Sequence, residues 1–226
     1  MKNEFEREYD SLSDEYVSKR GFFSSPKSKI FELLKETSVI GKTVLDLGCG
    51  DGKHSQTIKE LGAKNVIGID ISNNFIEKAR QRNLGDCQFL VADANKIPLP
   101  DNSVDIVFSN YVIHYFIDTS KVFLEVARVL KSKGYFITTF NTADVAPGFE
   151  NLYNQQMIIR LGNAENNIII HNLIKSRKEI EKSVHNSGLI LIKEMEVGNP
   201  FSVIDDSDPN KDYIAKRPIL MLLKKA

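Results

Sequence analysis

Val44-Leu45-Asp46-Leu47-Gly48-Cys49-Gly50-Asp51-Gly52 begins as a buried strand and runs into a loop with glycine at every second position. Residues 53–61 then read as a helix, with Gly62 as its stop. A strand, a loop nearly bare of side chains and a helix in succession bring exposed backbone and unpaired helix N–H groups to one end of a sheet. In open α/β sheets, ligands bind at such ends, near the point where the strand order reverses.

The same alternation continues outward. Ile30, Phe31, Leu33 and Leu34 are spaced as a helix face upstream. Downstream, residues 66–71 read as a second strand, and Ser72 can cap a helix carrying Phe75, Ile76 and Ala79. Third and fourth strands are expected at 87–92 and 104–109. A helical stripe of Val122, Phe123, Val126, Ala127, Val129 and Leu130 follows, then a fifth strand at 135–140. Strands apolar on both faces and separated by helices predict an α/β fold, a Rossmann-like doubly wound sheet that is mostly parallel. After Phe140 the rhythm breaks. A structureless loop over 141–175 would be unusually long, so a short helical insertion is predicted there. Residues 176–186 read as a helix ended by Gly188, and 189–197 and 219–224 as the last two strands. The stretch between them, 199–217, holds turn residues and no crossover helix, which predicts an antiparallel last strand.

The chain has 226 residues, with 30 Lys+Arg against 30 Asp+Glu. A composition of 42% hydrophobic and 27% charged residues is that of an ordinary globular protein. Zero net charge argues against a broad nucleic-acid surface, so nucleic acid is not an expected partner. Cys49 and Cys87 form neither a disulfide framework nor a C-x-x-C pair. No His, Cys, Asp or Glu spacing suggests a metal site. No apolar run approaches the ~20 residues that cross a bilayer. The first 16 residues are too acidic for a targeting peptide, and the cytoplasm is the expected location.

Two cofactor classes compete for the glycine loop. A dinucleotide fingerprint, G-x-G-x-x-G, needs its third glycine at position 53, which is Lys53. Asp46 would repel a pyrophosphate but suits a cationic amine. Asp70, ending the second strand, can accept from both ribose hydroxyls. Asp93, just past the third strand, can accept from an exocyclic amino group. An amine, a ribose and an adenine met by three carboxylates describe S-adenosylmethionine better than a dinucleotide.

On these residues the chain resembles a class I S-adenosylmethionine-dependent methyltransferase of the small-molecule, methyltransferase type 11-like kind. The resemblance is carried by V-L-D-L-G-C-G-D-G (44–52), G-I-D-I-S (68–72), V-A-D-A-N-K-I-P-L-P-D-N-S-V-D-I-V (91–107), S-N-Y-V-I-H-Y (109–115), E-V-A-R-V-L-K-S-K-G-Y-F (125–136) and R-P-I-L-M-L-L-K-K (217–225). Ser132-Lys133-Gly134 departs from the frequent proline-glycine-glycine, at a turn away from the chemistry. The resemblance implies a seven-stranded sheet whose antiparallel last strand is inserted beside its neighbour. It implies one domain over 1–226, with 1–40 as a helical lid and 141–175 as the acceptor wall. Asp46, Gly48 and Gly50 would hold the methionine end of S-adenosylmethionine. Asp70 would bind the ribose, Ile71 would pack on the adenine, and Asp93 with the Ala94 backbone would meet its edge. Asn110 would line the methionine moiety. Tyr9, Tyr16 and Arg20 are candidates for reaching the cofactor carboxylate from the lid. Tyr16 could equally pack an N-terminal helix with Tyr9 and Leu12, and Arg20 could equally make a surface ion pair.

The expected function is methyl transfer to a small-molecule oxygen or nitrogen acceptor. An RNA or protein methyltransferase, or a non-catalytic or nicotinamide-binding relative, stands as the alternative. No Asn/Asp-Pro-Pro-Tyr stretch follows the fourth strand, which lowers the case for exocyclic amines of nucleobases or glutamine. His114 is the candidate base if the acceptor is a hydroxyl, with packing as its other role. A helical turn starting at Asn110 would set the two on one face.

Overall fold

The computed structural model describes residues 10, 11, 13, 28–140, 156–162, 167–173, 175–197, 201–204, 212–215 and 218–226. Its centre is β1 (Thr43–Leu47), and the two-residue period of that strand sorts its side chains into two cores. Val44 joins one buried cluster with Ile30, Phe31, Leu34, Ile58 and Phe108. Leu45 and Leu47 join the other, with Val107, Phe123, Val126, Phe136 and Ile180. Helices cover each face, so no apolar face of the central strands is left to water.

In chain order, α1 (Lys29–Glu36) precedes β1, and α2 (Lys53–Glu60), β2 (Asn65–Asp70), α3 (Asn73–Gln81), β3 (Gln88–Val91) and β4 (Val104–Asn110) follow. A 3-10 turn at Ile113–Tyr115 leads to α4 (Thr119–Val129) and β5 (Leu130–Phe140). Next come β6 (Gln156–Gly162), β7 (Asn167–Leu173), α5 (Arg177–Asn186), β8 (Leu189–Glu196), β9 (Phe201–Ile204), β10 (Asp212–Ala215) and β11 (Ile219–Lys225). The seven-stranded sheet has the order β3-β2-β1-β4-β5-β11-β8. Strands β1 to β5 pair in parallel, and β11 lies antiparallel between β5 and β8. This is the mostly parallel, doubly wound sheet with an antiparallel last strand expected from the sequence. Ser72 caps α3 as read, its hydroxyl accepting from the Phe75 N–H at 3.2 Å.

The insertion differs from its reading. Residues 156–162 and 167–173 are not helical but an antiparallel pair, β6 and β7. They belong to a second, four-stranded sheet of order β10-β9-β6-β7. Its other two strands come from the 199–217 stretch that was read as turns only. Ile158-Ile159 and Ile168-Ile169-Ile170 are β-branched, which favours a pleated surface. The partner of β6, β9, lies some forty residues on, beyond the reach of local periodicity.

Helix α1, within the segment expected to form a lid, is built into the core. Its Ile30, Phe31, Leu33 and Leu34 are all buried. Tyr9, Tyr16 and Arg20 lie outside the described residues.

Candidate active site at the carboxyl ends of the central strands

The strand order reverses between β1 and β4, and the glycine loop leaves β1 at that point. The loop is bound to the neighbouring strand by its backbone. The N–H groups of Gly48 and Cys49 both donate to the Ile69 carbonyl, at 2.8 and 3.0 Å. Gly50 donates to Asp70 Oδ2 at 2.9 Å. Gly48 (φ +72°) has the Val112 side chain directly against it.

Asp70 ends β2 with each carboxylate oxygen holding one backbone donor, Gly50 N–H on Oδ2 and Ser72 N–H on Oδ1, both at 2.9 Å. A carboxylate has about four acceptor positions, so acceptor capacity remains for a ligand hydroxyl. Burial raises its pKa above the ordinary value; the Ser72, Gly50 and Ile71 N–H groups oppose that, and the Asp10 charge adds to it. Ile71 follows, half-buried.

Asp46 is buried beneath the loop, and its Oδ2 accepts from the Ser55 hydroxyl in the first turn of α2 at 2.6 Å. The Cys49 thiol is buried within the loop. Burial raises its pKa well above the usual value, and the charges of Asp46, Asp70 and Asp51 raise it further. The Asp46 and Asp70 carboxylates therefore both lie against the loop.

Asp93 is exposed just past β3, and its Oδ1 accepts the N–H of Asn95 at 2.8 Å. The Ala92 N–H donates to the Asp70 carbonyl at 2.9 Å, which keeps the ends of β2 and β3 side by side. Ala94 is buried. Asn110 ends β4, its Oδ1 accepting from the Thr139 hydroxyl at 2.6 Å; that same Oγ1 accepts the Tyr111 N–H at 2.9 Å. Asp46, Gly48, Gly50, Asp70, Ile71, Asp93, Ala94 and Asn110 thus all fall at the carboxyl ends of β1 to β4.

Residues 45–138 match the family model described as a methyltransferase domain. The match supports a class I S-adenosylmethionine-dependent methyltransferase domain over these residues. The malonyl-[acyl-carrier protein] O-methyltransferase of Yersinia pestis is 40% identical over 97 residues, 43% of this chain and 36% of that protein. The Legionella pneumophila protein of the same name is 30% identical over 142 residues, 62% of this chain and 50% of that protein. The chain thus spans half or less of the length of these relatives. An Aquifex aeolicus SAM-dependent methyltransferase structure shares the fold at TM-score 0.62 and 20% identity, covering 93% of this chain and 98% of that one.

The acceptor side of the methyltransferase domain departs from its reading. His114 does not share a helical face with Asn110. Tyr111 takes a left-handed φ of +60°, which separates the strand end from the 3-10 turn that carries His114. The imidazole is 1% exposed and lies 4.5 Å from the Tyr115 ring. Burial lowers its pKa to about 3, and the Lys175 charge adds to the effect. His114 is neutral near pH 7 and a weak proton acceptor.

Three features of the site were not singled out from sequence. Lys175 is fully buried, donating to the Ile117 carbonyl and to Glu179 Oε1, each at 3.0 Å. Arg82 and Asp51 form an ion pair beneath the loop. Val112 covers Gly48. Lys175 and Arg82 had no detectable signal, because a basic residue near a helix end reads as surface. Val112 carried one, being the first apolar residue after Asn110-Tyr111. The N-terminal segment reaches the site through Asp10, which accepts from the Ser72 hydroxyl and from the Asn74 N–H. Among the described residues, no group of three or more His, Cys, Asp or Glu could hold a metal, and no helix is long and apolar enough to cross a membrane.

Proposed function

We propose that this protein transfers a methyl group from S-adenosylmethionine to a small-molecule acceptor that arrives as a ready nucleophile, a carboxylate above all. The observation that carries the cofactor reading is the placement of the Asp46 and Asp70 carboxylates around a bare glycine loop at the strand ends. Such a placement disfavours a diphosphate and suits a sulfonium beside an ammonium. Bound there, S-adenosylmethionine supplies an electrophilic methyl group on positively charged sulfur.

The chain's own residues bind, orient and exclude water. Asp70 would bind the ribose through its remaining acceptor capacity, with Ile71 against the adenine face. Asp93 and the Ala94 backbone would meet the adenine edge. The Gly48–Gly50 backbone and Asn110 would flank the methionine end, and Asp46 would act on the ammonium through the field beneath the loop. The reaction needs an acceptor lone pair aligned with the S–CH3 bond at ~3 Å in a dry site. A base with a pKa of about 3 cannot efficiently take a proton from a hydroxyl near neutrality. An ionised carboxylate needs no such step. The names of the curated relatives support this, since malonyl-[acyl-carrier protein] carries a free carboxylate and their transfer is to oxygen.

Calorimetry with S-adenosylmethionine and with NAD tests the cofactor; NAD binding alone would overturn the reading. Label transfer from methyl-labelled S-adenosylmethionine into a metabolite extract tests the acceptor. The product should release methanol in mild alkali, as methyl esters do. An alkali-stable product would overturn the carboxylate assignment and leave the cofactor assignment standing.

A further inference from the structure

The glycine loop has one charged side chain, Asp51, and it is buried. Its partner is Arg82, which caps the far end of α3. Arg82 Nε donates to the Asp51 carbonyl at 2.6 Å, and Nη2 pairs with the Asp51 carboxylate. Nη1 donates to Gln56 Oε1, on α2, at 3.3 Å. One guanidinium therefore holds the backbone of the loop, its side chain and the helix that follows. A planar fork with donors in fixed directions can do this; an ammonium cannot reach all three acceptors.

The same end of α3 already touches the loop. A Cβ built on Gly52 (φ +80°) would lie 3.1 Å from Ala79 Cβ and from Phe89 Cζ. Those contacts pack the loop against α3 and β3. Asp51 directly follows Gly50, whose N–H is held by Asp70 Oδ2. The path from Arg82 to Asp70 thus runs through two hydrogen-bonded acceptors of Asp51 and one peptide unit.

We propose that Arg82 is a positioning residue for the cofactor site, acting through Asp51 to hold the Gly50 N–H on Asp70 and so to set the ribose-binding carboxylate. This rests on reading the loop as the S-adenosylmethionine site. Arg82 was assigned no part in that reading, and its hydrogen bonds described above go to Asp51 and Gln56.

The test measures S-adenosylhomocysteine and adenosine affinity by calorimetry on the full chain, with thermal melts alongside. Adenosine carries the ribose and no methionine end. Arg82→Met should weaken both ligands about tenfold, the scale of one charge-assisted interaction. Maximal turnover at saturating cofactor should stay within about twofold, because the clamp shapes binding and touches no reacting atom. Arg82→Lys should fall between, since it keeps the charge and loses the fork. Asp51→Asn should weaken both ligands in the same direction and decides the matter if Arg82→Met does not fold. Wild-type affinities in folded Arg82→Met or Asp51→Asn, with only the melting temperature lowered, would overturn the proposal and make the pair a stabilising contact. A loss confined to S-adenosylhomocysteine would overturn the route through Asp70. Failure of the wild-type chain to bind either ligand would instead refute the cofactor reading.

Discussion

Val112 stands over Gly48 so closely that a Cβ built on the glycine would lie 2.3 Å from Val112 Cγ2. The first residue of the loop and the second residue past β4 are thereby in direct backbone-to-side-chain contact across the point where the strand order reverses. Gly48→Ala has two separate costs. A left-handed φ of +72° disfavours any Cβ by about 1–2 kcal/mol. Overpacking against Val112 adds about 1–3 kcal/mol. Urea denaturation should show the sum for Gly48→Ala. The double variant Gly48→Ala/Val112→Ala should recover the packing part only, after allowance for Val112→Ala alone. Full recovery would mean that the backbone conformation is not strained by alanine.

The proposed ribose-binding role of Asp70 makes cofactor affinity pH-dependent. Its folded pKa is raised, chiefly by burial, so it protonates at a higher pH than an ordinary carboxylate of about 3.8. The ionised form accepts hydroxyl protons and the neutral form gives up part of that capacity. Affinity for S-adenosylhomocysteine should therefore be full at neutral pH and decline as pH falls toward the raised pKa, before an ordinary aspartate would titrate. Asp70→Asn should bind about tenfold or more weakly at pH 7, from lost charge-assisted bonds of about 1.5–3 kcal/mol, with this decline removed. Calorimetry over pH 7.5 to 4.5 reads both effects. A variant as pH-sensitive as the wild type would assign the titration to another group.

The placement of the expected cofactor residues at the strand ends was legible because each of them obeys a local rule. Asp46, Asp70 and Asn110 are the last or near-last residues of largely buried strands, which the sequence marks with apolar, β-branched runs. Gly48 and Gly50 advertise themselves by composition. The acceptor side follows no such rule. The left-handed Tyr111 is not a residue type that announces a positive φ, so the relation between Asn110 and His114 could not be read from spacing. The second sheet pairs β6 with β9 across some forty residues, and isoleucine runs alone do not separate a strand from a buried helix.

Lys175 ties the return from the second sheet to the segment between β4 and α4. Its ammonium is wholly buried and bonds Glu179, a carboxylate that keeps partial contact with water, and the Ile117 carbonyl. Burial lowers its pKa, while Glu179 opposes the shift. Lys175→Met removes the desolvated charge and leaves Glu179 able to find water, so its stability cost should be about 1–3 kcal/mol rather than the larger penalty of stranding a buried ion. Because the Lys175 charge helps depress His114, the His114 pKa should rise in this variant. Ring-proton NMR titration checks the shift. An unchanged histidine would show that burial alone sets it.

His114 offers the sharpest separation of roles. Its pKa falls from 6.5 to about 3 on folding, through burial first and the Lys175 charge second. Between those values the unfolded chain binds a proton that the folded chain does not. Stability from this group is therefore complete above pH 6.5 and is lost as pH falls toward about 3, roughly 3–5 kcal/mol in all. His114→Gln stays neutral throughout, so the fall in stability between pH 7 and 4.5 should flatten. Chemical denaturation at several pH values measures this without reference to activity. For turnover, the carboxylate reading makes a definite demand. Gln can hydrogen-bond but cannot accept a proton, and an ionised acceptor requires no proton transfer. His114→Gln should then keep kcat within about tenfold, whereas loss of a general base costs about 10²–10⁴-fold. A drop of that size, with cofactor affinity and stability at pH 7 retained, would restore His114 as the base and point to a hydroxyl acceptor.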